Sequence, residues 1–394
     1  MILEGVRVVE LGAWVAGPAA AGILADWGAD VVKVEPASGD PQRNIFGAVG
    51  VRDQSAVPPF ELDNRGKRSV VLDLRADDGR DAMERLLAGA DVFVTNMRVK
   101  ALERLGLDPV ATRERHPRLV YGIITGFGLT GPDADRPGYD IGAFWARSAL
   151  AGAFAPRGAL PLPIRSGFGD HVTGMTLAGG ICGALFERER TGRGHLVSTS
   201  LLRTGIYMGG WDQGIMLRFG KLESARNRDV SPTPLVNCYA AGDGPGFWLL
   251  GLEADRHWPG LVAALDRPDL ATDERFADAR SRRLNCTELI AELDVVFAAR
   301  PMAEWAQRFD VHDVWWAPIN TPRTLLEDPQ AEASGAFVDM EPQAGEDPFR
   351  AVASPVDIDE HVQRPGRVPT LGEHTAEVLA ELDIAPADRP RPSS

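Results

Sequence analysis

Short β-branched runs alternating with helix-like segments constrain this chain more than any other feature. Residues 6 to 11 form such a run and end at Gly12, Ala16 to Gly28 is Ala-rich and helix-like, and Val31-Val32-Lys33-Val34-Glu35 reads as a second strand, which makes a βαβ unit. The pattern continues with a strand over Val70–Leu74, a helix over Asp77–Ala88 with an Asp-rich first turn, and strands over Asp91–Thr95, Leu119–Thr125 and Leu196–Leu201. Strands that alternate with helices in this way imply an α/β fold with a mostly parallel sheet. The loop after Thr125, with Gly126, Gly128, Gly131 and Pro132, is the kind that lines a ligand crevice at the carboxyl edge of such a sheet.

One core rarely supports 394 residues, so about two domains are expected. The polar, Pro-containing stretch around 219–234 reads as a linker. It divides the chain into a large domain begun by 1–219, a linker 220–234, a small α+β domain over 235–316, a return segment 317–385 that completes the large domain, and a disordered tail 386–394. In the small domain, Cys238-Tyr239-Ala240 and Phe247-Trp248-Leu249-Leu250 suggest a hairpin, and Trp258–Leu265, Glu288–Ala299 and Met302–Phe309 have helical spacing. Residues 36–66 show no periodicity and read as a long functional loop, while Asp140–Leu150 and Val172–Glu189 read as helices.

Several chemistries are disfavoured. The glycines after the first strand fall at 12, 17 and 22, so Gly-x-Gly-x-x-Gly is missing and an NAD site is not expected, although Glu35 stands where an acid could hold a ribose. A formal charge of −14 disfavours a nucleic-acid surface. The three cysteines and seven histidines are scattered without metal-ligand spacing, so no metal and no disulfide framework is expected. No apolar run reaches membrane-spanning length, and the N-terminus enters a strand with no leader-like pattern, which points to a cytoplasmic protein.

The candidate for chemistry is Asp170, in Gly167-Phe168-Gly169-Asp170-His171-Val172-Thr173-Gly174. The glycines let another molecule approach the backbone, and the stretch leads into a helix whose N-terminal N–H groups and positive dipole end favour an anion. Asp170 is expected at the N-cap, where a purely structural capping role is the alternative. His171 is expected to be an ordinary, partly exposed histidine, since adjacent helix residues face different directions.

Taken together, these residues resemble the family III CoA-transferases, the group that includes formyl-CoA transferase, carnitine CoA-transferase and α-methylacyl-CoA racemase. The resemblance spans nearly the whole chain and rests on an ordered set. It begins with Val6-Arg7-Val8-Val9-Glu10-Leu11, Ala16-Gly17-Pro18 and Gly28 to Glu35, and continues with Asn64-Arg65-Gly66-Lys67-Arg68-Ser69 and Arg136-Pro137-Gly138-Tyr139-Asp140. Gly169-Asp170 with Gly174, Thr191-Gly192-Arg193-Gly194 and Gly372-Glu373-His374-Thr375 complete it.

The resemblance implies a large Rossmann-like domain, a small middle domain and an interlocked homodimer. It also implies a reaction in which Asp170 attacks an acyl-CoA thioester and CoA passes to a carboxylic acid. The implied CoA contacts are Trp14 and Val15 after the first strand, Leu72, Asp73 and Arg75 after the third, Asn96, Met97, Arg98 and Arg104 after the fourth, and Tyr139 with Asp140. Two departures stand out: Pro36 follows Glu35 where the family commonly has a basic residue, and the glycine-rich flap of formyl-CoA transferase is not visible. A racemase of the same fold is the alternative, and a CoA-binding protein without chemistry is a third reading. Racemases carry His in a Gly-His-Asp motif where this chain has Gly138-Tyr139-Asp140, and a tyrosine of pKa about 10 is a poor base near neutrality, which favours transfer.

Overall fold

In the computed structural model, which describes residues 1–52, 56–340, 348–359 and 365–382, the β-branched runs form one six-stranded sheet. The strands are β1 (Arg7–Leu11), β2 (Asp30–Glu35), β3 (Arg68–Val71), β4 (Val92–Thr95), β5 (Val120–Thr125) and β6 (Leu196–Ser200). Their spatial order is β3-β2-β1-β4-β5-β6 and every pairing is parallel. The chain therefore builds outward from β1 to β3 and then crosses to β4 on the other side of β1. That reversal opens a crevice at the carboxyl ends of β1 and β4, where Leu11 pairs with Thr95.

Helices cover both faces, which is why the strands are apolar almost throughout. On one face Val9, Leu11, Val32, Val34, Phe93 and Ile123 pack with Met83, Leu86 and Leu87 of the Asp77–Ala88 helix and Val378 and Leu382 of the Thr375–Leu382 helix. On the other, the alternate residues Val8, Val31, Val92, Val94 and Val120 meet Ala20 and Leu24 of helix α1 (Ala16–Asp26) and Leu177, Ala178 and Ile181 of a long helix, Phe168–Thr191. Each such aliphatic side chain contributes about 1.5–3 kcal/mol by leaving water.

The two helices on that face approach closely at Gly174, where small residues meet. A Cβ on Gly174 would sit 3.0 Å from Ala19 Cβ and 3.2 Å from Ala16 O. The long helix stops at Gly192, whose φ of 69° is readily reached only without a side chain.

Three local differences from the sequence expectations matter for the site. The segment 36–66 contains a short helix, Pro58–Asn64, which has no visible periodicity because only Phe60, Asp63 and Asn64 are buried. The segment expected as a helix over Asp140–Leu150 is a π-helical turn, Ile141–Ala146, followed by a separate helix, Leu150–Phe154. The long helix begins four residues before Val172, at Phe168.

The described residues divide into two compact units, one comprising those of Met1–Ala153, Pro161–Leu222 and the part from Ser334 onward, the other Phe154–Leu160 and Glu223–Ala333. The second is wider than the 235–316 expected from sequence. It holds an antiparallel sheet of Cys238–Ala240, Gly246–Leu249 and Trp316–Pro318 around an aromatic core, in which Phe247 and Phe297 meet edge to face at 4.9 Å and Trp305 stacks on Phe309 at 5.7 Å. The tail expected to be disordered, 386–394, lies outside the described residues. Among the described residues no helix is long and apolar enough to cross a membrane.

Candidate active site

The loop that leaves β1 enters the crevice under tension. Trp14 has φ 65°, a left-handed conformation that costs a bulky residue about 1–3 kcal/mol and persists only where neighbours enforce it. Asn96, just past β4, accepts the Ala13 N–H at 3.0 Å and donates to the Ala13 carbonyl at 2.7 Å, while Asp40 Oδ1 accepts the Trp14 N–H at 3.0 Å. Asp40 is held in turn by Lys33 at 2.9 Å. Lys33 and Lys67 then grip the two oxygens of Glu10 at 2.7 and 2.6 Å, and all three of these side chains are fully buried. The wanted backbone shape is thus imposed by a closed charge network beneath it.

This network also accounts for Glu35. Arg43 contacts both of its oxygens, at 2.7 and 2.8 Å, and it accepts the Ser69 hydroxyl at 2.6 Å and the Asp40 N–H at 3.0 Å. Glu35 is therefore committed internally rather than presented to a ligand.

Above the loop stands the start of the long helix. Gly167, with φ 82°, is its N-cap, and Asp170 is the third residue of the first turn rather than the cap itself. The expectation that Asp170 is the N-cap is corrected: it stands inside the first turn, where an acid still meets the positive end of the helix. The first helical bond runs from the His171 N–H to Gly167 O at 2.8 Å, and the Phe168 N–H reaches Arg165 O at 3.3 Å. The Gly169 and Asp170 N–H groups belong to the turn whose donors have no partner within the helix. Gly169 has no room for a side chain, because a Cβ there would lie 2.5 Å from Phe144 Cγ.

Asp170 is half-buried. Burial pushes its carboxyl up to about 7, the Asp140 and Asp63 charges push the same way, and only His171 opposes them. Asp140 is 7% exposed. Its Oδ1 accepts the Ile141 N–H at 2.7 Å, and its Oδ2 is buried without a hydrogen-bond partner among the described residues. The π-helical turn that follows is a local irregularity of the sort that recurs at functional sites.

The remaining residues expected at a CoA site follow the carboxyl ends of β1, β3, β4 and β5 in the chain. Trp14 and Tyr139 meet edge to face with ring centroids 6.4 Å apart, and both are exposed; Val15 Cγ1 lies 3.8 Å from where a Gly167 side chain would start. Trp14, Val15, Tyr139 and Asp140 therefore share one neighbourhood with Asp170. Asn96 lies beneath it, with both polar ends spent on Ala13, and Met97 donates its N–H to Thr95 Oγ1 at 3.1 Å. Leu72 is buried, whereas Asp73 and Arg75 are exposed and paired with each other at 2.9 Å. Arg98 caps the Val99–Arg104 helix without a side-chain bond, and Arg104 ends it; both are exposed. With strands about 4.8 Å apart, β3 and β4 are separated by roughly 14 Å across β2 and β1. Arg75 thus follows one of these strands, and Arg98 and Arg104 follow the other.

Two contributors were not expected from sequence, His171 and Asp63. The His171 ring is not free: its Nε2 lies 2.9 Å from Oδ1 of Asp63, whose side chain is almost fully buried. The sequence signal was weak, because Asp63 sits in the aperiodic segment 36–66. Among the described residues, no three His, Cys, Asp or Glu side chains converge as a metal would require.

Comparison with known proteins shows the family of the chain and the fold of its relatives. The model of CoA-transferase family III matches residues 3–375. The chain is 31% identical over 386 residues to the (R)-2-hydroxy-4-methylpentanoate CoA-transferase of Clostridioides difficile, covering 97% of this chain and 96% of that one. It is 34% identical over 391 residues to the cinnamoyl-CoA:phenyllactate CoA-transferase of Clostridium sporogenes, with 97% and 93% covered. Among solved structures, a CAIB/BAIF family protein from Brucella suis superposes with a TM-score of 0.83 at 30% identity, covering 97% of this chain and 99% of that one.

Proposed function

Since this chain belongs to CoA-transferase family III and moves CoA between acyl-CoA and carboxylic acids, we propose that it does so through a covalent intermediate on Asp170. The observation that carries this reading is the placement of a half-buried carboxylate in the first turn of a helix, beside the crevice where the strand order reverses. Asp170 attacks the thioester carbonyl, the C–S bond breaks, and CoA leaves as a thiolate, giving a mixed anhydride. The thiolate then attacks the aspartyl carbonyl and releases the donor acid, leaving an aspartyl-CoA thioester. The acceptor carboxylate repeats these two steps in reverse order and departs as the new acyl-CoA. Dividing one transfer into such steps is what a covalent carboxylate supplies. The Gly169 and Asp170 N–H groups, aimed out of the helix end, suit the oxyanions that form.

In this reading CoA lies along the sheet edge with Arg75, Arg98 and Arg104 serving its phosphates, and its substrates place the enzyme in the cytoplasm. Phe168, Trp14 and Tyr139 are exposed around Asp170 and favour an apolar acyl group. A mass-spectrometric panel of acyl-CoA donors against carboxylic acids, beginning with 2-hydroxy acids that bear branched or aromatic side chains, tests the function. Transfer to at least one acid is expected. No transfer, together with α-proton exchange in deuterated water, would instead establish the racemase.

The working form is expected to be a dimer. The Gly210–Phe219 helix has no buried residue, yet Trp211, Leu217 and Phe219 are 83%, 87% and 68% exposed. On the long helix, Gly179 and Gly183 face open space. A single copy that left this surface in water would be prone to associate. Sedimentation at micromolar concentration should give a dimer mass, and a stable monomer would refute this.

A further inference from the structure

Outside the nucleophile, the group in this site with the most unusual support is His171. Its Nε2 is 2.9 Å from Asp63 Oδ1, and the other oxygen of Asp63 accepts Gln42 Nε2 at 3.2 Å. The Gln42 N–H is in turn held by Asp40 Oδ1 at 3.0 Å, the same atom that fixes Trp14. The ring folds back on the helix start, since a Cβ on Gly167 would meet its Cε1 at 3.4 Å and its Nδ1 at 3.5 Å. An imidazole clamped from below by a buried carboxylate and set against the first turn is built to carry charge at a fixed place. The charged groups that face it are Asp63 from the Pro58–Asn64 helix, Asp140 from the turn before the π-helix, and Asp170 beside it.

We infer that His171 is a positioning residue for the transfer: hydrogen-bonded to Asp63, it brings positive charge to the helix start beside Asp170 and so favours the ionised, nucleophilic form of that carboxylate against Asp140. This rests on Asp170 being the nucleophile. No proton changes hands, because the steps pass only between carboxylate, thiolate, anhydride and thioester. Burial works against the charged ring, but the hydrogen bond and charge of Asp63, followed by Asp170 and Asp140, outweigh it and raise the His171 pKa above its ordinary value. Without that positive charge, the burial and like charges that already push the Asp170 carboxyl up to about 7 act unopposed.

The test compares native enzyme with His171→Gln, which keeps a hydrogen-bonding side chain but is neutral at every pH. Turnover and hydroxylamine-trapped labelling of the Asp170 peptide are followed from pH 5.5 to 9, with cinnamoyl-CoA and butyryl-CoA as donors. The acid limb of His171→Gln should move up by about one pH unit, which lowers the rate about tenfold at pH 6 and leaves less than about a threefold deficit at pH 9. A uniform loss across the range, or an unmoved limb with the label still on Asp170, overturns the inference and leaves the nucleophile standing. A label on another residue overturns both. Independently of activity, nitrogen-15 NMR of the ring should show His171 titrating above about 6.5 in the native protein and lower in Asp63→Asn. A native value at or below 6.5 would also refute the role.

Discussion

Asp170→Asn is expected to leave a folded protein that binds acyl-CoA but loses transfer by at least about 10³-fold, because an amide can form neither an anhydride nor an aspartyl thioester. The structure sharpens this expectation, since Asp170 is not the cap: Gly167 is, and its left-handed backbone holds the helix start whatever stands at 170. The substitution is nearly isosteric and removes a charge that the site resists. A folded-state pKa of about 7, against an ordinary 3.8, means that Asp170 contributes stability that is full below about 3.8 and lost as pH rises through about 7. The Asn variant loses none of it. Its melting temperature should therefore gain on the native protein's between pH 4 and pH 8. Retained transfer, or a covalent label away from the Asp170 peptide, would return the carboxylate to a merely structural role.

The strands were legible because a parallel sheet covered on both faces leaves little room for polar residues, so Val8-Val9 and Val31-Val32 announce themselves. The order of the strands was not, since pairing is a long-range choice that no local pattern encodes. The helix Pro58–Asn64 escaped notice because it buries three residues in two turns, too few to set a period. The start of the long helix was misplaced for a different reason. Gly167 adopts a left-handed conformation at no steric cost, so the cap falls three residues before the polar side chain that resembles one.

Asp170 itself could be chosen from the glycines around it and from the family resemblance. Its electrostatic surroundings could not, because Asp140 and Asp63 lie 30 and more than 100 residues away and arrive only with the fold. The buried network did leave a trace in sequence. Glu10 interrupts Val8-Val9 and Leu11, and Lys33 stands between Val32 and Val34, in strands where both faces are covered. An acid and a lysine at such positions must meet partners or be excluded from the fold, since an unpaired buried charge costs several kcal/mol.

That network bears the second large prediction. Glu10→Gln keeps the shape of the side chain but leaves Lys67 bonded to Pro18 O and Asn64 Oδ1, at 2.8 and 3.1 Å, with no carboxylate in contact, and leaves Lys33 with Asp40 and the Gly12 carbonyl. Removing one member of a buried ion pair typically costs about 3–5 kcal/mol, far more than a surface salt bridge is worth, so a urea midpoint well below the native one is expected. Burial would raise the Glu10 pKa, but the charges and hydrogen bonds of Lys33 and Lys67 outweigh it and hold it below its ordinary 4.5. A depressed pKa contributes stability that is present above 4.5 and lost as pH falls through the folded value, so the gap between Glu10→Gln and native should be full at pH 7 and close in acid. Glu10→Leu combined with Lys67→Leu should cost less than the sum of the two single changes, by about 1 kcal/mol or more, because the double variant leaves no orphaned charge between them. The same variants reach function through Asp40 and the Trp14 loop, so any that fold should bind acyl-CoA more weakly while Asp170 can still be labelled. A Glu10→Gln protein as stable as native, with the same pH dependence, would show that the two lysines find other partners and that the Trp14 loop is held by Asn96 and Asp40 without the network below them.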